Sequence, residues 1–212
     1  GHSLPIQSLL TKRIPIGSGL GGGSSNAAAM LRGLDTLFDL GLETKTMNNI
    51  AASLGSDVPF FLGGGDAFVS GFGECCTPIE SERFPALVLV FPEASCPTGE
   101  IYDAFDEQDG QDFEPQRLDG LCTATDLEGD DLFNDLLIPA ESVEPDLSEY
   151  RSLLKTLAER SVHLTGSGST FFIAADNAMH ATALAEAIEE RLQLPARVVG
   201  NIRQQSPVVE SS

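Results

Sequence analysis

Basic side chains are scarce in this sequence. Its 212 residues carry 12 Lys and Arg against 32 Asp and Glu, and the formal net charge is −20 at pH 7. Nucleic acids and anionic membrane surfaces recruit proteins through clustered Lys and Arg, so we expect neither as a partner. The acidic charge is concentrated between residues 100 and 150, where 17 acidic side chains accompany one basic one, Arg117. This concentration is typical of a solvated acidic surface.

Long apolar runs and paired cysteines are also missing. No apolar run approaches the ~20 residues that span a bilayer, and the first residues lack the order of charged, apolar and small residues that marks a signal peptide. Cys75, Cys76, Cys96 and Cys122 show neither C-x-x-C spacing nor neighbouring histidines. This spacing argues against a zinc site and a disulfide framework. We expect reduced thiols in a cytoplasmic protein, with no metal ion held by the protein alone.

Hydrophobic periodicity predicts a chain in which helices and strands alternate. Helices are predicted from Ser24 or Ser25 to Gly41, over 44–54, 99–105 and 147–160, and over 177–192 with Met179, Ala183, Leu184, Ala187, Ile188 and Leu192 facing inward. Strands are predicted over 5–14, in short pieces within 56–74, over 86–92, on both sides of a glycine turn within 162–175, and over 196–200. The order indicates an α/β or α+β chain with an internal boundary between about 76 and 86.

A glycine-rich loop runs directly into the first predicted helix. The stretch GSGLGGGSSNAAA covers residues 17–29. Such a loop exposes backbone N–H groups at the positive end of a helix and attracts phosphate, and the hydroxyls of Ser24 and Ser25 could add hydrogen bonds or reach a magnesium ion. The alternative is a flexible turn before a capped helix.

Two other phosphate motifs compete for this loop. The Walker pattern fails because no lysine follows the glycines. The dinucleotide pattern G-x-G-x-x-G is met by Gly17, Gly19 and Gly22, which leaves a nicotinamide-dependent oxidoreductase open. However, the preceding stretch contains Thr11, Lys12, Arg13 and Pro15, where a buried parallel strand would be continuously apolar.

Three ordered motifs resemble those of the GHMP kinases. PIGSGLGGGSSNAAA (15–29) resembles the ATP-phosphate motif of that family, SDVPFFLGGGDAFVSGFGE (56–74) its second signature, and LTGSGSTFFI (164–173) its third. The resemblance implies an α+β fold of two domains: an ATP-binding α/β domain, here partial, over 1–80, and a ferredoxin-like carboxy-terminal domain over 81–212. It also implies ATP and Mg²⁺ as cofactors and phosphorylation of a hydroxyl on a small-molecule substrate.

The resemblance assigns roles residue by residue. The ATP phosphates would be bound by Pro15, Ile16, Gly17, Ser18, Gly19, Leu20, Gly21, Gly22, Gly23, Ser24 and Ser25, and the substrate by Thr98, Gly166, Ser167 and Gly168. Asp57 would be the catalytic base. From the residues alone, Asp57 could equally be a turn or cap residue before Pro59, and Gly166 to Ser169 a tight hairpin turn. Asn134 to Leu136 resembles the family's NDL element, whereas His163 and His180 look like ordinary strand and helix residues.

One part of the family pattern has no match in these residues. The family carries, ahead of the ATP loop, a lysine that acts beside the aspartate, together with aromatic and histidine contacts to the substrate, and Lys12 is not its substitute. We therefore expect this chain by itself to be inactive and poorly stable, with Met30, Leu34 and Phe38 of the first helix left unburied. Another GHMP small-molecule kinase and a binding-only remnant stay open, as does the oligomeric state.

Overall fold

The computed structural model describes residues 5–79, 86–108, 118, 120–122 and 129–200. The first part consists of three helices followed by a hairpin: α1 (Gly22–Leu37), α2 (Thr44–Leu54), α3 (Val58–Gly63), β1 (Asp66–Ser70) and β2 (Cys75–Ile79). The strands β1 and β2 pair antiparallel, and α1 packs against α2 and α3. In these ranges no helix combines the length and apolar character needed to cross a membrane.

The second part is a four-stranded antiparallel sheet covered by helices. Its elements are β3 (Ala86–Val90), α4 (Thr98–Asp106), a 3-10 helix (Gly129–Asp131), α5 (Leu137–Val143), α6 (Asp146–Ala158), β4 (His163–Leu164), β5 (Phe171–Ala175), α7 (Ala178–Leu192) and β6 (Ala196–Val199). The strand order is β4-β5-β3-β6, with helices between β3 and β4 and between β5 and β6. This is the ferredoxin-like arrangement, so the predicted α+β class is confirmed.

The apolar residues form two separate clusters. The larger one lies between the sheet and its helices and includes Val88, Ile101, Leu154, Phe171 and Ile188, all fully buried. The side chains of β3 and β5 alternate between buried and half-buried, as expected for strands with one face on the core. The smaller cluster has Ala28, Ala51 and Val58 at its centre. The predicted boundary at 80/81 lies outside the described residues and stays a prediction.

Several predicted elements are wrong in the first part of the chain. Residues 5–14 form no strand; Ile14 instead packs against the backbone of Gly22. Residues 58–63, predicted as strand, are the helix α3, with Pro59 in its first turn, where proline is well tolerated. Helix α1 begins at Gly22 and ends at Leu37, earlier than predicted at both ends. It begins earlier because Gly21 takes the N-cap place in a left-handed conformation.

Helix α7 has the predicted length, and its predicted inward face is confirmed only in part, at Leu184 and Ile188. Ala181, Leu184, Ala185 and Ile188 are its buried residues, whereas Met179 is 83% exposed and Ala183 is also exposed. Met179 and Ala183 lie beside the line of buried residues and not on it, so the helical period alone assigned them to the wrong side. In α1, Met30 is exposed as expected, whereas Leu34 is half-buried, and so is Phe38, the residue that follows the helix.

Candidate active site

The glycine loop takes a backbone path that favours glycine at alternate positions. Gly17, Gly19 and Gly21 have φ values of 72°, 69° and 61°, in the left-handed region that L side chains rarely adopt. The turn ends at Gly21, which caps α1 without any side-chain hydrogen bond. The first N–H groups of an α-helix have no partner within the helix. They therefore face the loop together with the positive end of the helix dipole.

Close packing on both sides fixes this loop. A β-carbon on Gly21 would lie 2.6 Å from Cζ of Phe61 in α3. A β-carbon on Gly19 would overlap the backbone oxygen of Thr165 and lie 2.8 Å from that of Gly168. The loop therefore packs against Phe61 of α3 on one side and against the turn that joins β4 to β5 on the other.

A cavity of about 400 Å³ opens in front of the glycine loop. It is lined by Lys12, Ile14, Pro15, Ile16, Gly17, Ser18, Gly19, Leu20, Gly21, Gly22, Gly23, Asp57, Thr98, Tyr102, Gly166 and Ser167. Segments from all three sequence motifs thus meet at one site. Within the described ranges, the lining leaves out Ser24, Ser25 and Gly168; the Ser25 hydroxyl instead donates to the backbone oxygen of Gly22, at 3.1 Å.

Asp57 occupies the N-cap position of α3, but its side chain makes no capping hydrogen bond. Its Oδ1 accepts a long hydrogen bond from the hydroxyl of Ser56, at 3.4 Å. The residue is exposed and lines the cavity. A carboxylate that is not used for capping can accept a proton from a bound molecule.

The opposite wall of the cavity is formed by residues of the second part. The hydroxyls of Thr98, the first residue of α4, and Ser167 lie 3.1 Å apart. Gly168 lies behind them, where a β-carbon would come within 3.1 Å of the Cys96 sulfur. Burial is the main reason that the pKa of Cys96 is raised to about 11, and the nearby Glu144 raises it further. The thiol is therefore neutral beside this wall.

Sequence reasoning missed two polar residues of the lining. Lys12 is the one cation among the described residues that line the cavity. Tyr102 follows Thr98 by four residues in α4, which places both on one face of that helix; it is 52% exposed. The four-residue spacing was the available signal for Tyr102. His163 packs against Phe172 in β4 and β5, and His180 contacts Asp176 at the start of α7.

The dinucleotide interpretation of the glycines does not fit this fold. A dinucleotide loop connects a buried parallel strand to a helix. Residues 5–16, which precede this loop, contain no strand, and all the strand pairs of the described residues are antiparallel.

Comparison with known proteins defines the class. Residues 2–74 match the family described as GHMP kinases N terminal domain. A solved structure of 4-(cytidine 5'-diphospho)-2C-methyl-D-erythritol kinase superimposes with a TM-score of 0.70 and 35% identity, over 90% of this chain and 69% of that chain. The chain therefore belongs to the GHMP kinase family.

Its similarity within the family extends to one kind of kinase. The 4-diphosphocytidyl-2-C-methyl-D-erythritol kinase of Polynucleobacter asymbioticus is 38% identical over 174 residues, covering 82% of this chain and 57% of that protein. The kinase of the same name from Thermus thermophilus is 39% identical over 185 residues, covering 86% of this chain and 65% of that protein. The chain thus spans less than two thirds of the length of these relatives. A homoserine kinase from Cytophaga hutchinsonii has a TM-score of 0.65 at 18% identity and shares the fold.

Proposed function

We propose that this chain belongs to a kinase that transfers the γ-phosphoryl group of ATP to the 2-hydroxyl of 4-diphosphocytidyl-2-C-methyl-D-erythritol. One observation carries the proposal: the glycine loop, the Asp57 carboxylate and the Thr98–Ser167 hydroxyl pair line the same cavity. The substrate is taken from the names of the relatives. The same cavity supports ATP as the phosphoryl donor.

The ATP phosphates bind along the glycine loop in this proposal. Gly17 and Gly23 have no atom within 4 Å of an added β-carbon, so their open sides leave room for phosphate oxygens against the backbone. The N-terminus of α1 supplies N–H groups and a partial positive charge. The Lys12 ammonium adds a full positive charge at the same cavity. In a protein of net charge −20, these local donors offset the repulsion of an anionic ligand.

Asp57 acts as the general base. The substrate oxygen attacks the γ-phosphorus and forms the new P–O bond, the bond to the β,γ-bridging oxygen breaks, and ADP leaves with the bonding electrons. The hydroxyl proton passes to the Asp57 carboxylate. A positioned base contributes about 10²- to 10⁴-fold to the rate, while alignment and charge stabilisation provide most of the acceleration of phosphoryl transfer.

The residues that line the cavity could hold Mg²⁺ only together with the phosphates of a bound nucleotide. No group of three or more His, Cys, Asp or Glu side chains that could hold a metal is present among the described residues. Mg²⁺ usually keeps several waters and binds substrate phosphates, so the nucleotide phosphates would hold most of the ion, while Asp57, the one carboxylate among the described lining residues, serves as the base. When bound, the ion would neutralise charge on the phosphates.

The cytidine end of the substrate fits the wall formed by α4. The ring of Tyr102 lines the cavity one helical turn from Thr98, and an aromatic ring is a good stacking partner for a pyrimidine base. The Thr98 and Ser167 hydroxyls can donate to the diphosphate or to the sugar. We also propose that the reaction takes place in the cytoplasm, where thiols stay reduced, because Cys75, Cys76 and Cys96 are present as free thiols.

Competing substrates and cofactors test the proposal. Binding of ATP with Mg²⁺ and of NADH to the chain is measured by calorimetry. Phosphoryl transfer is measured with the complete enzyme, because this chain by itself is expected to be inactive, and the acceptors are the diphosphocytidyl substrate, homoserine and mevalonate. We expect binding of ATP and transfer to the diphosphocytidyl substrate. Binding of NADH without ATP would overturn the kinase assignment, and equal transfer to homoserine or mevalonate would overturn the choice of substrate.

A further inference from the structure

The side chain of Asn134 donates both of its N–H groups to one turn and accepts a hydrogen bond from the backbone two residues further along the chain. Its Nδ2 donates to the backbone oxygen of Leu164, at 2.9 Å, and to that of Gly166, at 2.7 Å. Its Oδ1 accepts from the backbone N–H of Leu136, at 3.0 Å. Asn134 thus links the segment before α5 by hydrogen bonds to the start of the turn between β4 and β5, about thirty residues further along the sequence.

This turn reaches the two sides of the cavity through different residues. On the nucleotide side, the Thr165 hydroxyl donates to the backbone oxygen of Ser18, at 3.1 Å, and a β-carbon on Gly166 would lie 3.0 Å from the backbone oxygen of Gly19. On the substrate side, the hydroxyl of Ser167 contacts that of Thr98. A shift of the turn therefore displaces both walls.

We propose that Asn134 is a positioning residue that sets the geometry of the nucleotide loop and of the Thr98–Ser167 pair together, through the turn 164–167. Asn134 itself does not line the cavity, and it acts only through the residues that do. The inference rests on the proposed function, since it assigns the two walls to ATP and to the substrate. It predicts that one side chain outside the cavity affects the affinity for both ligands.

The physical reason is pre-organisation. A loop with several glycines has many backbone conformations when it is free, and fixing them opposes binding. A ligand binds more weakly when it must order the loop itself. Contacts that hold the turn against Ser18 and Thr98 before the ligand arrives remove that penalty.

Two substitutions distinguish the effect of Asn134 on the whole turn from the effect of a single hydrogen bond that the turn makes. Asn134→Asp keeps the size of the side chain and the oxygen that accepts from Leu136, but it removes both donated hydrogen bonds. Thr165→Val keeps the shape of the side chain and removes only the bond to Ser18, whereas Thr165→Ser retains a hydroxyl. Thr156→Val is the matched control, because its hydroxyl donates to Ser152 within α6, away from the cavity.

Affinities for ATP and for the diphosphocytidyl substrate are measured by calorimetry on the whole chain. We expect Asn134→Asp to weaken both affinities by about tenfold, and Thr165→Val to weaken ATP binding by about three- to tenfold with the substrate affinity unchanged. Thr165→Ser and Thr156→Val should match the parent. Should Asn134→Asp not fold, Asn134→Ser serves instead, because serine can still form a local turn. A folded Asn134 variant that alters neither affinity, or only one of them, would overturn the proposal.

A second readout is independent of any ligand. Backbone ¹⁵N relaxation of Gly19 and Gly21 in the free chain reports the order of the loop, with order parameters near ~0.85 for rigid backbone and below ~0.6 for flexible backbone. We expect the values to fall in Asn134→Asp and in Thr165→Val. Unchanged values in both variants would overturn the positioning role. A parent chain with an ordered loop but no affinity for ATP would overturn the proposed function instead.

Discussion

Gly73, at the tip of the β1–β2 hairpin, lies directly against the backbone of Ser56. A β-carbon on Gly73 would overlap the carbonyl oxygen of Ser56 and lie 2.7 Å from its carbonyl carbon. Gly73 also has a φ of 104°, which disfavours any other residue. Because Ser56 directly precedes Asp57, the hairpin supports the backbone of the proposed base from outside the cavity.

Substitution Gly73→Ala tests this support. We expect turnover to fall at least tenfold and the free energy of unfolding to fall by about 1–3 kcal/mol, because the added methyl group strains φ and displaces Ser56. Gly33→Ala is the control: Gly33 lies inside α1 with no atom within 4 Å of an added β-carbon, and it should stabilise the chain by about 0.5–1 kcal/mol. Unchanged turnover in Gly73→Ala would contradict the inference that the hairpin helps to position Asp57.

Substitution Asp57→Asn tests the proposed base. The amide keeps the shape of the carboxylate but cannot take the proton, so in the complete enzyme we expect phosphoryl transfer to fall by about 10²- to 10⁴-fold while the affinity for ATP stays within a few-fold. Single-turnover kinetics and calorimetry measure the two quantities. Asp39→Asn, in the exposed loop after α1, should leave both unchanged. Transfer close to the parental rate would remove Asp57 from the catalytic role.

Tyr102 is expected to bind the cytosine ring by stacking. Tyr102→Ala should weaken binding of the diphosphocytidyl substrate by about 1–3 kcal/mol, and Tyr102→Phe should keep most of the affinity because the ring remains. Neither change should alter ATP affinity more than twofold. Equal losses in the two variants would indicate that the hydroxyl, and not the ring, makes the contact.

The ion pair between Arg151 and Glu141 joins α6 to α5. The guanidinium donates twice, with Nε at 2.6 Å from Oε1 and Nη2 at 3.1 Å from Oε2, and Glu141 is only 11% exposed. We expect Glu141→Gln to lower the free energy of unfolding by about 1–3 kcal/mol in urea titrations. The more exposed pair Arg197–Glu189 is the comparison, where Arg197→Gln should change stability by less than about 1 kcal/mol. Similar effects at both pairs would contradict the role of burial.

Cys96 is expected to be chemically inert in the folded chain. At neutral pH, iodoacetamide should label the exposed Cys75 and reach Cys96 only after unfolding, because the reactive form is the thiolate. Burial raises the pKa of Cys96 from 9.0 to about 11, so the folded state keeps its proton longer than the unfolded state. Stability should therefore fall as the pH rises through this interval, and Cys96→Ala should remove that part of the dependence. Labelling of Cys96 as fast as Cys75 would contradict this prediction.

Most elements of the second part of the chain were predicted correctly. The strands β3 and β5, the glycine turn between β4 and β5 and the helices α4, α6 and α7 lie where they were expected, whereas α5 (Leu137–Val143) was not predicted. The run Phe60 to Leu62 was wrongly assigned to a strand, since a short apolar run has no period that separates helix from strand. The strand predicted over 5–14 is wrong for a different reason. A strand forms only when a second strand pairs with it, and in the described ranges no strand lies beside these residues.

The site could be predicted only in part. The glycine loop and the segment containing Asp57 carry recognisable motifs, but the cavity joins residues as distant as Lys12, Thr98 and Ser167. The sequence around each of these residues does not indicate which distant residues will lie beside it in the folded chain. Asn134 lies in the segment 134–136, which resembles a family element, but its proposed role depends on the backbone carbonyl groups of Leu164 and Gly166. Only the folded chain brings these two groups within hydrogen-bond distance of Asn134.

The two apolar clusters differ in how much stability each can contribute to its part of the chain. Nineteen buried apolar residues form the larger cluster, whereas two alanines and a valine form the centre of the smaller one, which packs beneath the proposed phosphate loop. A ligand that binds only the folded form stabilises it by about 2.7 kcal/mol at a hundred times its dissociation constant, which is substantial for a region with so few buried side chains. If ATP binds at the proposed site, it should make the α1–α3 region open less often, and a protease added to the purified chain should then cut this region more slowly in the presence of ATP than in its absence.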